Sequence, residues 1–85
     1  VRFKDTKYGD LTGKIFIGNI NVSGIGLTSL KGAPKIIING GFDCSYNQLT
    51  SLECSPHIIR GSFICNNNQL LSLKCSPKEV TDSFI

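Results

Sequence analysis

The 85-residue chain has no methionine, no tryptophan, one histidine and one alanine. Only 18% of its residues are charged, and its apolar runs, such as Ile15–Ile17 and Ile36–Ile38, stop at three residues. A membrane-spanning helix needs about 20 apolar residues and a signal peptide about 7–15. Runs this short provide neither. With one Ala and two Glu, the chain lacks the strong helix formers of a bundle. A modest charge and many β-branched residues exclude the composition of a disordered segment. One histidine without any C-x-x-C offers no zinc-ligand spacing. The length allows one domain, which excludes a two-domain enzyme or a large doubly wound fold.

Nine basic residues face six acidic ones, for a net charge of +3. Arg2, Lys4 and Lys7 form a short basic run and the rest are scattered. A nucleic-acid-binding domain presents a dense basic stripe, so nucleic acid is not the expected partner. What the chain does have is Ile, Ser, Asn and Gly, the residues of strands and turns.

These residues recur with a period. The segment Phe42-Asp43-Cys44-Ser45-Tyr46-Asn47-Gln48-Leu49-Thr50-Ser51-Leu52-Glu53-Cys54-Ser55-Pro56 returns as Phe63-Ile64-Cys65-Asn66-Asn67-Asn68-Gln69-Leu70-Leu71-Ser72-Leu73-Lys74-Cys75-Ser76-Pro77, twenty-one residues on. Another copy starts at Phe84-Ile85. Backwards by twenty-two, Ile20 to Ser23, Leu27 to Leu30 and Ala33-Pro34 form a degenerate copy. The one extra residue is expected between Pro34 and Ile38. The four cysteines are thus two repeated positions, Cys44/Cys65 and Cys54/Cys75. They read as free thiols packed like small hydrophobes in a reducing compartment.

The pattern Phe-x-Cys-x-x-Asn-x-Leu-x-x-Leu, followed by a short return containing Pro, resembles a leucine-rich repeat. The run Asn-Gln-Leu-Thr-Ser-Leu with its following Pro is similar to the short bacterial type found in secreted effectors. Gly-x-Phe-x-Cys-Ser-Tyr-Asn-Gln-Leu-Thr-Ser-Leu is closer still to repeats of tailed-phage and bacterial proteins. The resemblance covers about four-fifths of the chain. It implies a mainly-β, short solenoid of parallel strands with irregular, extended or 3-10-like return legs and an N-terminal cap. Residues 1–17 are the expected cap and residues 18–85 the array of about three rungs plus the start of a fourth, with Phe16 in the slot of Ile38.

In such a stack, Phe42 and Phe63 should lie one above the other, about 4.8 Å apart. Cys44 and Cys65 form the next inward column, with Leu49, Leu52, Leu70 and Leu73 filling the rest. Asn47 and Asn68 should point inward and satisfy backbone groups where the chain leaves the strand, since a buried amide needs partners. Gly40 and Gly61 permit the tight corner before each strand.

No convergent acids, Cys–His pair, phosphate loop or metal cluster emerges, so the expectation is a non-enzymatic protein with no cofactor and no small-molecule substrate. Alternation points Asn21, Asp43, Ile64 and Ile85 outward, together with Ser45 and Asn66, and Tyr46 and Asn67 extend that face. Tyr is a frequent interface anchor. The expected partner is a protein, from a host cell or a virus particle, and the expected location is the host cytoplasm or the virion. Two alternatives stand beside it. One is a structural component that stacks on another subunit through an open last rung at Ile85. The other is weak binding of nucleic acid or another anionic surface by the broken column of Lys31, Lys35, Lys74 and Lys78. The absent initial Met and the unfinished rung suggest a piece of a longer or processed chain.

Overall fold

The computed structural model describes the whole chain, Val1–Ile85. A 3-10 helix at Phe3–Asp5 precedes seven short strands: β1 (Ile15–Ile17), β2 (Ile20–Asn21), β3 (Ile36–Ile38), β4 (Phe42–Asp43), β5 (Ile58–Ile59), β6 (Phe63–Ile64) and β7 (Glu79–Val80). Strands β1-β3-β5-β7 form one sheet and β2-β4-β6 another, and every pairing is parallel. The fold is mainly β, with almost no helix. The chain alternates between the sheets, so each circuit adds one strand to each.

The register puts like on like. Ile20 pairs with Phe42 and Phe42 with Phe63, while an isolated bridge joins Phe63 to Phe84. The Phe42 and Phe63 rings are 6.0 Å apart between centroids. Between the sheets lie Ile20, Phe42 and Phe63, then Val22, Cys44 and Cys65, then Leu27, Leu30, Leu49 and Leu52, with Ile37 and Ile59 closing the far side. No single circuit can bury its apolar side alone. Each covers its neighbour.

Several expectations need correction. Of the forms expected for the return legs, the extended one is found, not the 3-10-like one, and its strands pair into the four-stranded sheet. Their β-branched Ile36-Ile37-Ile38 and Ile58-Ile59 favour extended backbone, and parallel neighbours supply its hydrogen-bond partners. The extra residue is not before Ile38. Ile37 faces Ile59 twenty-two residues on, while Phe42 faces Phe63 at twenty-one. The insertion therefore falls after β3, where Asn39 takes the left-handed conformation with φ 57°. Phe16 consequently faces Ile37, and Ile17 faces Ile38.

Gly40 and Gly61 are needed for close approach, not for a special φ. A Cβ on Gly61 would collide with the Gly40 carbonyl, and one on Gly40 with the Gly18 carbonyl. Leu73 is 62% exposed, not inward, and Leu70 is half-buried, whereas their counterparts Leu52 and Leu49 are fully buried.

The N-terminal segment lies along the first circuit. The Phe3 amide donates to Ser29 O at 3.0 Å, Lys4 N to Lys31 O at 2.9 Å and Leu11 N to Gly32 O at 2.7 Å. Phe3 is fully buried and stacks on both Phe42 (5.9 Å) and Tyr8 (5.7 Å). The Tyr8 hydroxyl accepts the Asn21 N–H at 3.1 Å, satisfying an edge donor of β2.

Candidate functional site

The outer face of β2-β4-β6 begins with a column set by the strand register: Asn21 beside Asp43 beside Ile64. Ile85 continues it, held by its own N–H to Phe63 O at 2.9 Å and by Cys65 N–H to Ile85 O at 2.8 Å. Asn21 and Ile85 are exposed, whereas Asp43 and Ile64 are half-buried. Immediately after the strand, Asp43 Oδ1 accepts both the Ser45 N–H at 3.0 Å and the Ser45 hydroxyl at 2.6 Å. Asn21 Oδ1 takes the same two bonds from Ser23, at 3.0 and 2.7 Å. These are side-chain turns of the Asx type.

That turn corrects one expected contact residue. Ser45 is only 4% exposed, folded under its own turn and not presented to a partner. The third copy has Ile64 where an acceptor would stand, so Asn66 donates no such bond and is half-buried.

The next position faces out. Tyr46 is 64% exposed, and Asn67 is exposed beside it. Both have left-handed backbone, φ 56° and 59°, and the first copy has Gly24 there at φ 62°. The Tyr46 N–H donates to Asn66 O at 3.0 Å, tying the two turns together. An aromatic residue rarely occupies this region, and holding one there points to a use for the side chain. The strand alternation rule does not extend to this turn. The signals that could have found it are Gly24 in the equivalent position and Asn67 after it.

Asn47 and Asn68 fix the turns from inside. Asn47 Oδ1 accepts Ile25 N–H at 3.0 Å and Leu27 N–H at 2.9 Å, while its Nδ2 donates to Val22 O, Cys44 O and Ser45 O at 2.8, 2.9 and 3.1 Å. Asn68 Oδ1 accepts Leu49 N–H at 2.9 Å, and its Nδ2 donates to Cys44 O at 3.1 Å and Cys65 O at 2.9 Å. Each amide spans its own circuit and the preceding one, so the face is braced across the stack. No buried side-chain polar atom is left without a partner.

Beside the column runs an open groove of about 580 Å³, lined by Gly40, Gly61, Asn21, Asp43, Ile64 and Arg60 among others. On the return side, Lys31, Glu53 and Lys74 align, as do Lys35, His57 and Lys78, and all are exposed. The second alignment is direct: His57 N–H donates to Lys35 O and Lys78 N–H to His57 O, both at 2.8 Å. An acid and a histidine interrupt the two lysine columns.

All four cysteines are free thiols, but only Cys44 and Cys65 pack as small hydrophobes. Cys54 and Cys75 are exposed, which corrects their expected burial. Burial, with smaller contributions from Cys65 and Asp43, pushes the Cys44 thiol far above its ordinary range, and burial raises Cys65 as well. No group of three or more His, Cys, Asp or Glu converges to hold a metal ion. No helix is long and apolar enough to cross a membrane. No protein-family model, curated protein or solved structure matches this chain.

Proposed function

We propose that the chain is a short leucine-rich-repeat-like solenoid with an N-terminal cap, and that it binds another protein of a host cell or virus particle without catalysis. The strand-side face formed by Asn21, Asp43, Tyr46, Ile64, Asn66, Asn67 and Ile85 is the contact surface. The observation that carries this reading is Tyr46, an exposed aromatic in left-handed backbone. Its turn is braced from below by the Asn47 amide. A rigid aromatic presented at little entropic cost is the usual anchor of a protein interface. The alternation of the chain between two parallel sheets supports the solenoid. The buried ring of Phe3 against Phe42 supports the cap. Tyr46→Lys and Ile64→Lys together should abolish capture of the partner from host lysate while the far-ultraviolet spectrum stays unchanged. Undiminished capture contradicts this face.

A second reading is favoured by the apolar residues of the last circuit. Leu71 is 88% exposed, and Leu73, Phe84 and Ile85 are exposed beside it. A structural component stacking there on another subunit would bury them. Light scattering of the purified chain tests it: association with rising concentration supports stacking, and a monomer throughout counts against it.

A further inference from the structure

Two thiols stand together outside the contact face. Cys54 and Cys75 occupy the same position of successive circuits, with φ 70° and 69°. The turns holding them match: Ser55 N–H donates to Leu52 O at 3.0 Å and Ser76 N–H to Leu73 O at 3.2 Å. Direct bonds between the two circuits flank the pair on both sides. Leu71 N–H reaches Thr50 O at 3.2 Å before it, and Lys78 N–H reaches His57 O at 2.8 Å after it. At the pair itself the Ser55 hydroxyl donates to the carbonyl of Cys75 at 2.6 Å. Strand neighbours in a sheet are about 4.8 Å apart, and the bonds on both sides of these turns hold the two circuits at that repeat, inside the span of roughly 4.4–6.8 Å between Cα atoms that a disulfide bridges. Both thiols are exposed and free.

We propose that Cys54 and Cys75 form a reactive dithiol that closes to a reversible disulfide between the second and third circuits by exchange with a small-molecule disulfide. The first copy has Gly32 at this position, so no thiol of the first circuit competes. Cys44 and Cys65 are also stacked neighbours, but they are buried in the core and out of reach of a reagent. Exposure divides the two cysteine columns into an inert pair and a reactive one.

The exchange runs in two steps. One of the two thiols, taken here as Cys54, loses its proton and attacks a sulfur of the small disulfide. The S–S bond breaks, a mixed disulfide forms, and one thiolate leaves and takes up a proton. Cys75 then loses its proton and attacks the Cys54 sulfur, and the second thiolate leaves and is protonated. The protein gives up two electrons and two protons, and the reagent becomes two thiols. The inference is independent of which partner the strand face binds.

The test uses the full chain, folded, with oxidised glutathione as the probe. Alkylation and peptide mapping by mass spectrometry follow. The expected product is lighter by two hydrogens, with Cys54 and Cys75 in one cross-linked peptide. Cys44 and Cys65 should resist alkylation until the chain is denatured. Cys54→Ser should leave a stable glutathione adduct on Cys75, and Cys75→Ser the same on Cys54. Oxidation should raise the thermal midpoint of the parent chain and of neither variant. Stable glutathione on both Cys54 and Cys75 of the parent chain, a bond involving Cys44 or Cys65, or cross-linked dimers as the main product would overturn the proposal.

Discussion

Asn47 is the sole partner of three backbone groups, the Ile25 and Leu27 N–H and the Val22 carbonyl. Its substitution by Ala strands the Leu27 N–H and the Val22 carbonyl, and unmet buried groups cost about 1–3 kcal/mol each. Asn47→Ala should therefore destabilise the fold by about 3 kcal/mol in urea unfolding. Asn68→Ala should do less, because Asn68 is only half-buried. Equal losses would contradict the ladder. Tyr46 behaves oppositely. A left-handed residue with a side chain is strained by roughly 1–2 kcal/mol, partly offset by the entropy glycine would lose. Tyr46→Gly should stabilise the isolated chain by about 0.5–1 kcal/mol and weaken partner capture. Such a trade marks a residue kept for contact. Cys44 sets an alkaline limit. Its thiol is held neutral in the core, well above the ordinary value of 9.0. Stability from this group is complete below that value and falls as the pH rises above it, because only the unfolded chain then ionises freely. Cys44→Val should flatten the alkaline decline in a series of unfolding curves.

The elements show how far the sequence could be read and where it stopped. The period of twenty-one places Phe42 on Phe63, Cys44 beside Cys65 and both Asn side chains inside, because a residue repeated one circuit on takes the same position in the stack. The return leg was harder. Ile36-Ile37-Ile38 are three identical residues facing the pair Ile58-Ile59, so two alignments fit equally well, and only the pairing of Ile37 with Ile59 moves the insertion to Asn39. Ser45 departs from the expectation for a different reason: alternation holds within a strand, but the Asp43 side chain ends β4 by drawing Ser45 inward. The corner glycines make a prediction at this scale. Gly61→Ala pushes a methyl into the Gly40 carbonyl, and the backbone cannot retreat without parting successive circuits. A loss of about 2 kcal/mol is expected, seen as a lower thermal midpoint. An unchanged midpoint would mean that successive circuits are not in this close contact.

As a whole, the molecule measures 27 × 24 × 18 Å and has different coverings along its length. The first circuit is closed by Phe3 and Tyr8, with Arg2 and Asp5 bonded on the outside at 2.9 Å. The hydrogen bond from Arg2 holds the Asp5 carboxyl below its usual range, and Thr12 does the same for Asp10. Carboxylates lowered in this way support the fold above their ordinary value and lose that support as the pH falls through the lowered one. Acid should therefore loosen residues 1–14 first, as faster amide exchange there than in β4 or β6. The strand-side face lies elsewhere, and its role rests on capture. The most direct test compares what an immobilised parent chain, a Tyr46→Lys/Ile64→Lys variant and a Lys31→Glu/Lys74→Glu variant retain from host lysate, identified by mass spectrometry. The account predicts one protein held by the parent and by the return-side variant and lost from the strand-side variant. The same protein retained by the strand-side variant and lost from the return-side one would contradict it.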